Sequence, residues 1–257
     1  MKYLIKYNRF LVLFTPISIL GLFELFLIQP KILYYSIIIA NLLVFFTIKQ
    51  FKKSSAENKE WINFIILPIC FLTSLGFYST LIANNIFIQI LFFANIFFIY
   101  FYLRNIYFYL VQPESYKTYA LENISSYGNF LVIFFASSAI YGMQAFLNIS
   151  VWILILIILP LIALVIYQII WANKINIKDG FVYIFLGCLI LIEIAWAITF
   201  LPLAYNIAGL VLAICYYILI GLIRFYLKKN LNKQTIKLYL FFGFSSILII
   251  LLTAKWV

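Results

Sequence analysis

VWILILIILPLIALVIYQIIW, residues 151–171, runs for 21 positions without a charged side chain. An apolar stretch of that length spans the roughly 30 Å hydrocarbon core of a bilayer as a helix. It lacks the two-residue alternation of a membrane-barrel strand. The turn before it, Asn148-Ile149-Ser150, is short and polar, and Lys174 and Lys178 follow it. This stretch decides the fold class. The chain is read as all-α, a polytopic integral membrane helix bundle.

Working outward, similar runs occupy 10–28, 32–48, 61–82, 86–110 and 124–147 on one side, and 181–201, 205–223 and 238–254 on the other. Nine spans at roughly 20 residues take about 180 residues, leaving about 77 for termini and connections. No room remains for a soluble domain, so residues 1–257 are expected to form a single transmembrane domain. The whole composition agrees: 67% hydrophobic and 10% charged residues, with a mean hydropathy of +1.13. Soluble chains carry about a quarter charged residues. The basic start and apolar core at the N-terminus resemble a signal peptide, but no small-residue cleavage site follows, so 10–28 is read as a retained first span.

Lysines and arginines played no part in finding these spans, so they test the count. On alternate connections they number three, four, two, two and five. That puts sixteen of the eighteen on one side, with only Lys31 and Lys255 on the other. By the positive-inside rule the N-terminus is cytoplasmic and, with nine spans, the C-terminus outside. The net charge of +11 then sits in five short cytoplasmic loops. Its expected partners are the bilayer and its anionic lipid headgroups, not nucleic acid. Oligomeric state is left open. Lys255 and Trp256 read as an interfacial anchor.

The missing residues exclude chemistry. The chain has no histidine, which rules out a Ser-His-Asp triad, histidine-ligated haem and HExxH zinc sites. Its single aspartate, Asp179, cannot build an Asp-rich magnesium motif. Cys70, Cys188 and Cys215 fall singly in apolar runs and read as small hydrophobes. No catalytic residue, metal ligand or cofactor is therefore nominated, and an enzyme is not the favoured class.

Polar residues within spans carry the remaining signal. Glu193, in LIEIAWAITFLP (191–202), is expected to face the bundle interior, either neutral or partnered, because a carboxylate at that depth costs a few kcal/mol. Glu24 lies near the outer end of the first span, with Lys31 across the turn as an available partner. The fifth span is the most polar. Ser137, Tyr141 and Gln144 form a stripe that lines a solute path or serves as a hydrogen-bonding seam. Ser138 with Gly142, and Gly209 with Ala213 in the eighth span, are small-xxx-small pairs that let helix backbones approach. Pro16, Pro68 and Pro160 sit inside spans and are expected to kink them. In the loop VQPESYKTYALEN (111–123), Glu122 is expected to cap the following helix.

The run ENISSYGNF (122–130), the stretch LIEIAWAITFLPLAYN (191–206) and the ending LLTAKW (251–256) together resemble a group of uncharacterised multi-span proteins of small-genome bacteria. The resemblance implies a multi-pass protein of the bacterial plasma (inner) membrane and no particular activity. Three function classes remain. The first is a carrier or channel for a small solute, ion or lipid, with Glu193, Glu24, Ser137, Tyr141 and Gln144 along the path. The second is a non-transporting scaffold or assembly partner. The third is an intramembrane lipid-modifying enzyme, which would need a headgroup-sized pocket at Arg104 or Arg224.

Overall fold

The computed structural model describes residues 2–54 and 61–254, with side chains for all of these except 2–7, 177 and 179. Lys59 of the second basic loop lies outside the described residues, as do Lys255 and Trp256 of the expected anchor.

Nine α-helices make up the described residues: α1 (Lys2–Ile28), α2 (Leu33–Lys53), α3 (Asn63–Ser79), α4 (Asn85–Leu110), α5 (Ala120–Leu147), α6 (Val151–Ala172), α7 (Ile177–Ile198), α8 (Tyr205–Leu227) and α9 (Lys233–Thr253). Two single-turn 3₁₀ segments sit in the connections. Eight of the helices are long and apolar enough to cross a membrane. At 17 residues, about 25 Å, α3 falls short of that length. It is largely buried, with Phe64, Leu67, Phe71, Leu72 and Leu75 all in the core.

Where the helices outrun the expected spans, they do so on the basic side. They reach back to Lys2, Ala120, Ile177 and Lys233, and forward to Lys53 and Leu227. Intrahelical hydrogen bonds do not require apolar side chains. A lysine turn in the headgroup layer stays helical while its ammonium snorkels into water. On the opposite side α7 stops early, at Ile198. A turn follows through Thr199, Phe200 and Leu201, whose amides reach back three residues. The helices run unbroken through Pro16, Pro68 and Pro160.

Two compact units divide the chain, Met1–Gly128 and Asn129–Val257. In the first, α1 packs on α2 and α4, and α2 on α3. Polar ties link these helices. Thr15 and Thr47 share a hydrogen bond of 2.7 Å between α1 and α2, and Asn41 donates to Thr73 Oγ1 at 3.2 Å between α2 and α3. The Tyr102 hydroxyl donates to the Phe64 carbonyl at 2.9 Å between α4 and α3. With lipid as apolar as a core, such ties decide which faces meet.

In the second unit α6, α7, α8 and α9 pack in chain order. Asn129 Nδ2 on α5 donates to Gln168 Oε1 on α6 at 2.6 Å, both residues being fully buried. Lys228 Nζ, just after α8, donates to Asn173 Oδ1, just after α6, at 2.8 Å. Replacing Asn129 by leucine should destabilise the protein by about 1 kcal/mol. A double variant with Gln168→Leu should lose less than the two single losses combined, because the two amides share one hydrogen bond. Melting curves of the two single variants and the double in detergent check this. Additive losses would show that the pair is not coupled.

At the start of α5 a second group joins Glu122 at the helix end. The Leu121 amide donates to the Tyr116 hydroxyl at 3.2 Å, so a tyrosine from the preceding loop closes the helix end. Burial raises the pKa of that phenol. Glu122 lies in the first turn, buried, where its charge suits the helix N-terminus.

Candidate functional site

Of the eight long helices α5 is the most enclosed, with 56% of its apolar window buried, and α9 the least, with 6%. Its polar residues therefore meet other helices. Ser137 Oγ bonds back to the Ile133 carbonyl and also reaches the Gly209 carbonyl of α8 at 3.3 Å. Ser138 is fully buried against the same glycine, close enough that a Cβ on Gly209 would lie 2.7 Å from the Ser138 amide nitrogen. Ala213, one turn further along α8, is fully buried, and Gly142, one turn beyond Ser138, is buried too. The two small-residue motifs noted in the sequence thus meet at Ser138 and Gly209. The serine end of the polar stripe is engaged in helix contacts.

One helical turn further, the stripe reaches open space. The Tyr141 hydroxyl donates to the Ala195 carbonyl of α7 at 3.0 Å. Beyond it lies a cavity of about 370 Å³, lined by Tyr141, Gln144, Asn148, Thr199 and Tyr205 together with Ala145, Ile149, Ile198, Leu201, Leu203 and Ala208. It sits where α5 and α7 end and α8 begins, within the second unit. Its volume falls in the roughly 300–1,000 Å³ range of small-ligand sites.

Local sequence explains the shape of this site. Asn148 ends α5 with φ of 50°, a left-handed conformation that asparagine tolerates better than most residues, and its amide closes on the Gln144 carbonyl at 3.0 Å. The helix stops there and its last polar side chains stay at the cavity. Thr199 donates its hydroxyl to the Trp196 carbonyl at 2.6 Å, tightening the turn that ends α7. Tyr205 opens α8 with its ring edge-on to Phe146, centroids 5.8 Å apart. Among the described residues no carboxylate, ammonium or guanidinium belongs to the lining.

Glu193 stands elsewhere, and the expectation that it faces the interior is corrected. Leu191, Ala195 and Ile198 are the buried positions on its part of α7, while Glu193, Trp196 and Ala197 are exposed. A residue two positions from Ala195 points about 200° around the helix from it, away from α5. Because α7 ends at Ile198, Glu193 is five residues from the helix end, roughly 7.5 Å along the axis. Replacing Glu193 by either glutamine or leucine should therefore change stability by no more than about 0.5 kcal/mol. A large fall in melting temperature for the leucine variant would mean that the carboxyl has a partner.

Glu24, in the first unit, accepts from Gln89 Nε2 of α4 at 3.0 Å. The glutamine replaces Lys31 as the expected partner. Sequence gave no hint of the pair, because the two residues are 65 positions apart on helices of unknown adjacency. The second unit also holds a hollow at Arg224, but at about 10 Å³ it is no headgroup pocket. Arg104 is exposed. Among the described residues no three of histidine, cysteine, aspartate and glutamate come together as a metal site would require.

Of the polar lining, Tyr141 and Gln144 belong to the stripe visible in the sequence, while Asn148, Thr199 and Tyr205 come from helix ends and turns that no stripe marks. A family model described as "Protein of unknown function (DUF5656)" matches residues 15–253. No curated protein and no solved structure matches the chain.

Proposed function

We infer, for a chain that belongs to the DUF5656 family of proteins of unknown function, that it binds a small solute at the cavity between the ends of α5 and α7 and the start of α8. The role is that of a carrier, and the membrane is the bacterial plasma membrane. The protein crosses it nine times with the N-terminus in the cytoplasm, so the cavity opens outward. The observation that carries this reading is the cavity itself: about 370 Å³, with five residues that bear hydrogen-bonding side chains in its lining. Glu193 has no part in the path, since it lies on the far face of α7.

Ala145 gives the test. It lines the cavity yet is exposed, so a bulky side chain there can fill the mouth without entering the core. Ala145→Trp should abolish solute uptake or binding by the full chain in proteoliposomes and leave its melting temperature unchanged. Unaltered uptake in this variant would remove the cavity from the path.

A second reading, an assembly partner without transport, rests on a different observation. Ser137 and Ser138 are spent on helix contacts, and α7 presents Glu193, Trp196 and Ala197 on an exposed face. It predicts that Ala145→Trp is silent and that substitutions at Trp196 or Ala197 disturb assembly in native membranes.

A further inference from the structure

We propose that the cavity takes an uncharged, polyhydroxylated group, such as a sugar or polyol, free in solution or as the headgroup of a neutral glycolipid. This deepens the solute-binding reading and rests on it.

The hydroxyl protons of the lining decide the class. A tyrosine or threonine hydroxyl has one proton to give. Tyr141 gives its proton to the Ala195 carbonyl at 3.0 Å, and Thr199 gives its own to the Trp196 carbonyl at 2.6 Å. Towards the cavity both oxygens can only accept, so a ligand must donate to them. The amides of Gln144 and Asn148 both donate and accept. A ligand that matches this lining needs several groups that can each do both. Hydroxyls meet that requirement.

Charge narrows the class further. An anion would face two acceptor oxygens, and among the described residues no lysine or arginine lines the cavity to offset the repulsion. A cation would find no carboxylate among the described lining residues, and Glu193 is on the opposite face of α7. Desolvating either ion at such a site is unfavourable. A zwitterion would meet both penalties. The apolar part of the wall, Ile149, Ile198, Leu201, Leu203 and Ala208, suits the C–H faces that a sugar ring or polyol also carries. Two aromatic residues, Tyr141 and Tyr205, also belong to the lining.

Binding to the purified full chain, measured by calorimetry in detergent, tests the class. The soluble probes are glucose, myo-inositol, alanine, choline and phosphate. A parallel arm uses nanodiscs with and without monoglucosyl diacylglycerol. Glucose or inositol, or the glycolipid alone, should bind, and the arm that responds identifies the source. Binding should weaken about ten-fold in Gln144→Leu, the loss of one site hydrogen bond. The same is expected of Asn148→Gly, which keeps the left-handed backbone and removes only the amide. Ala145→Trp should abolish binding. If alanine, choline or phosphate binds instead and Ala145→Trp blocks it, the hydroxyl class is overturned while the solute-binding reading stands. Binding of no probe, or binding indifferent to Ala145→Trp, overturns both.

Discussion

Gly209→Leu should be the most damaging single substitution in the second unit. Even the first added carbon has no place: a Cβ at 209 meets the Ser138 hydroxyl and lies 2.7 Å from the Ser138 amide nitrogen and 2.9 Å from its Cα. Two of those three atoms are backbone, so no change of rotamer relieves the clash. α5 and α8 would have to separate, and the Ser137 bond to the Gly209 carbonyl would go with the contact. Overpacking of a tight core costs about 1–3 kcal/mol. Alanine should fall within that range and leucine at or beyond its upper end. For a protein of this size that lowers the melting temperature by roughly 5 °C or more. Gly21 in α1 is the control, because a Cβ there meets nothing within 4 Å. Gly21→Ala should be neutral or slightly stabilising, as expected where helix propensity alone decides. Equal melting temperatures for Gly209→Leu and the parent chain would mean that the two helices do not touch there.

The second large effect is all-or-none. Alkaline phosphatase fused after Asn84 or after Val257 should be active, and fused after Ser54 or Lys233 inactive. The weak point is α3, whose 17 residues fall short of the eight longer helices. If α3 did not cross, every later connection would change sides. Arg104, Lys117, Lys174, Lys178 and the five cations from Arg224 to Lys237 would then face outward. The positive-inside rule opposes that arrangement. Local thinning of the bilayer or snorkelling at the helix ends accommodates a short buried helix at fractions of a kcal/mol per Å of mismatch. An inactive fusion at Asn84 together with an active one at Lys233 would show α3 to be re-entrant and reverse the second half of the chain.

The sequence by itself determined the helices. Residues 151–171 and their counterparts are too apolar and too long for anything else, and the expected ends at Ile28, Leu110, Leu147, Val151 and Tyr205 lie within a residue of the observed ones. It also marked Ser138 and Gly209 as points of close approach, because small side chains in a span have that physical consequence wherever the partner lies. What it could not determine is which face of each helix turns inward. In water a helix shows its buried side by its hydrophobic stripe. In a bilayer, lipid and protein are equally apolar, so α7 reads as apolar all round. Only packing distinguishes Ala195, which receives the Tyr141 hydroxyl, from Glu193 two residues away. The same holds for Glu24 and Gln89, joined by a contact that no local pattern encodes. The cavity belongs wholly to tertiary structure. Asn148, Thr199 and Tyr205 come from three different helix ends, and nothing in the order of residues says that those ends converge.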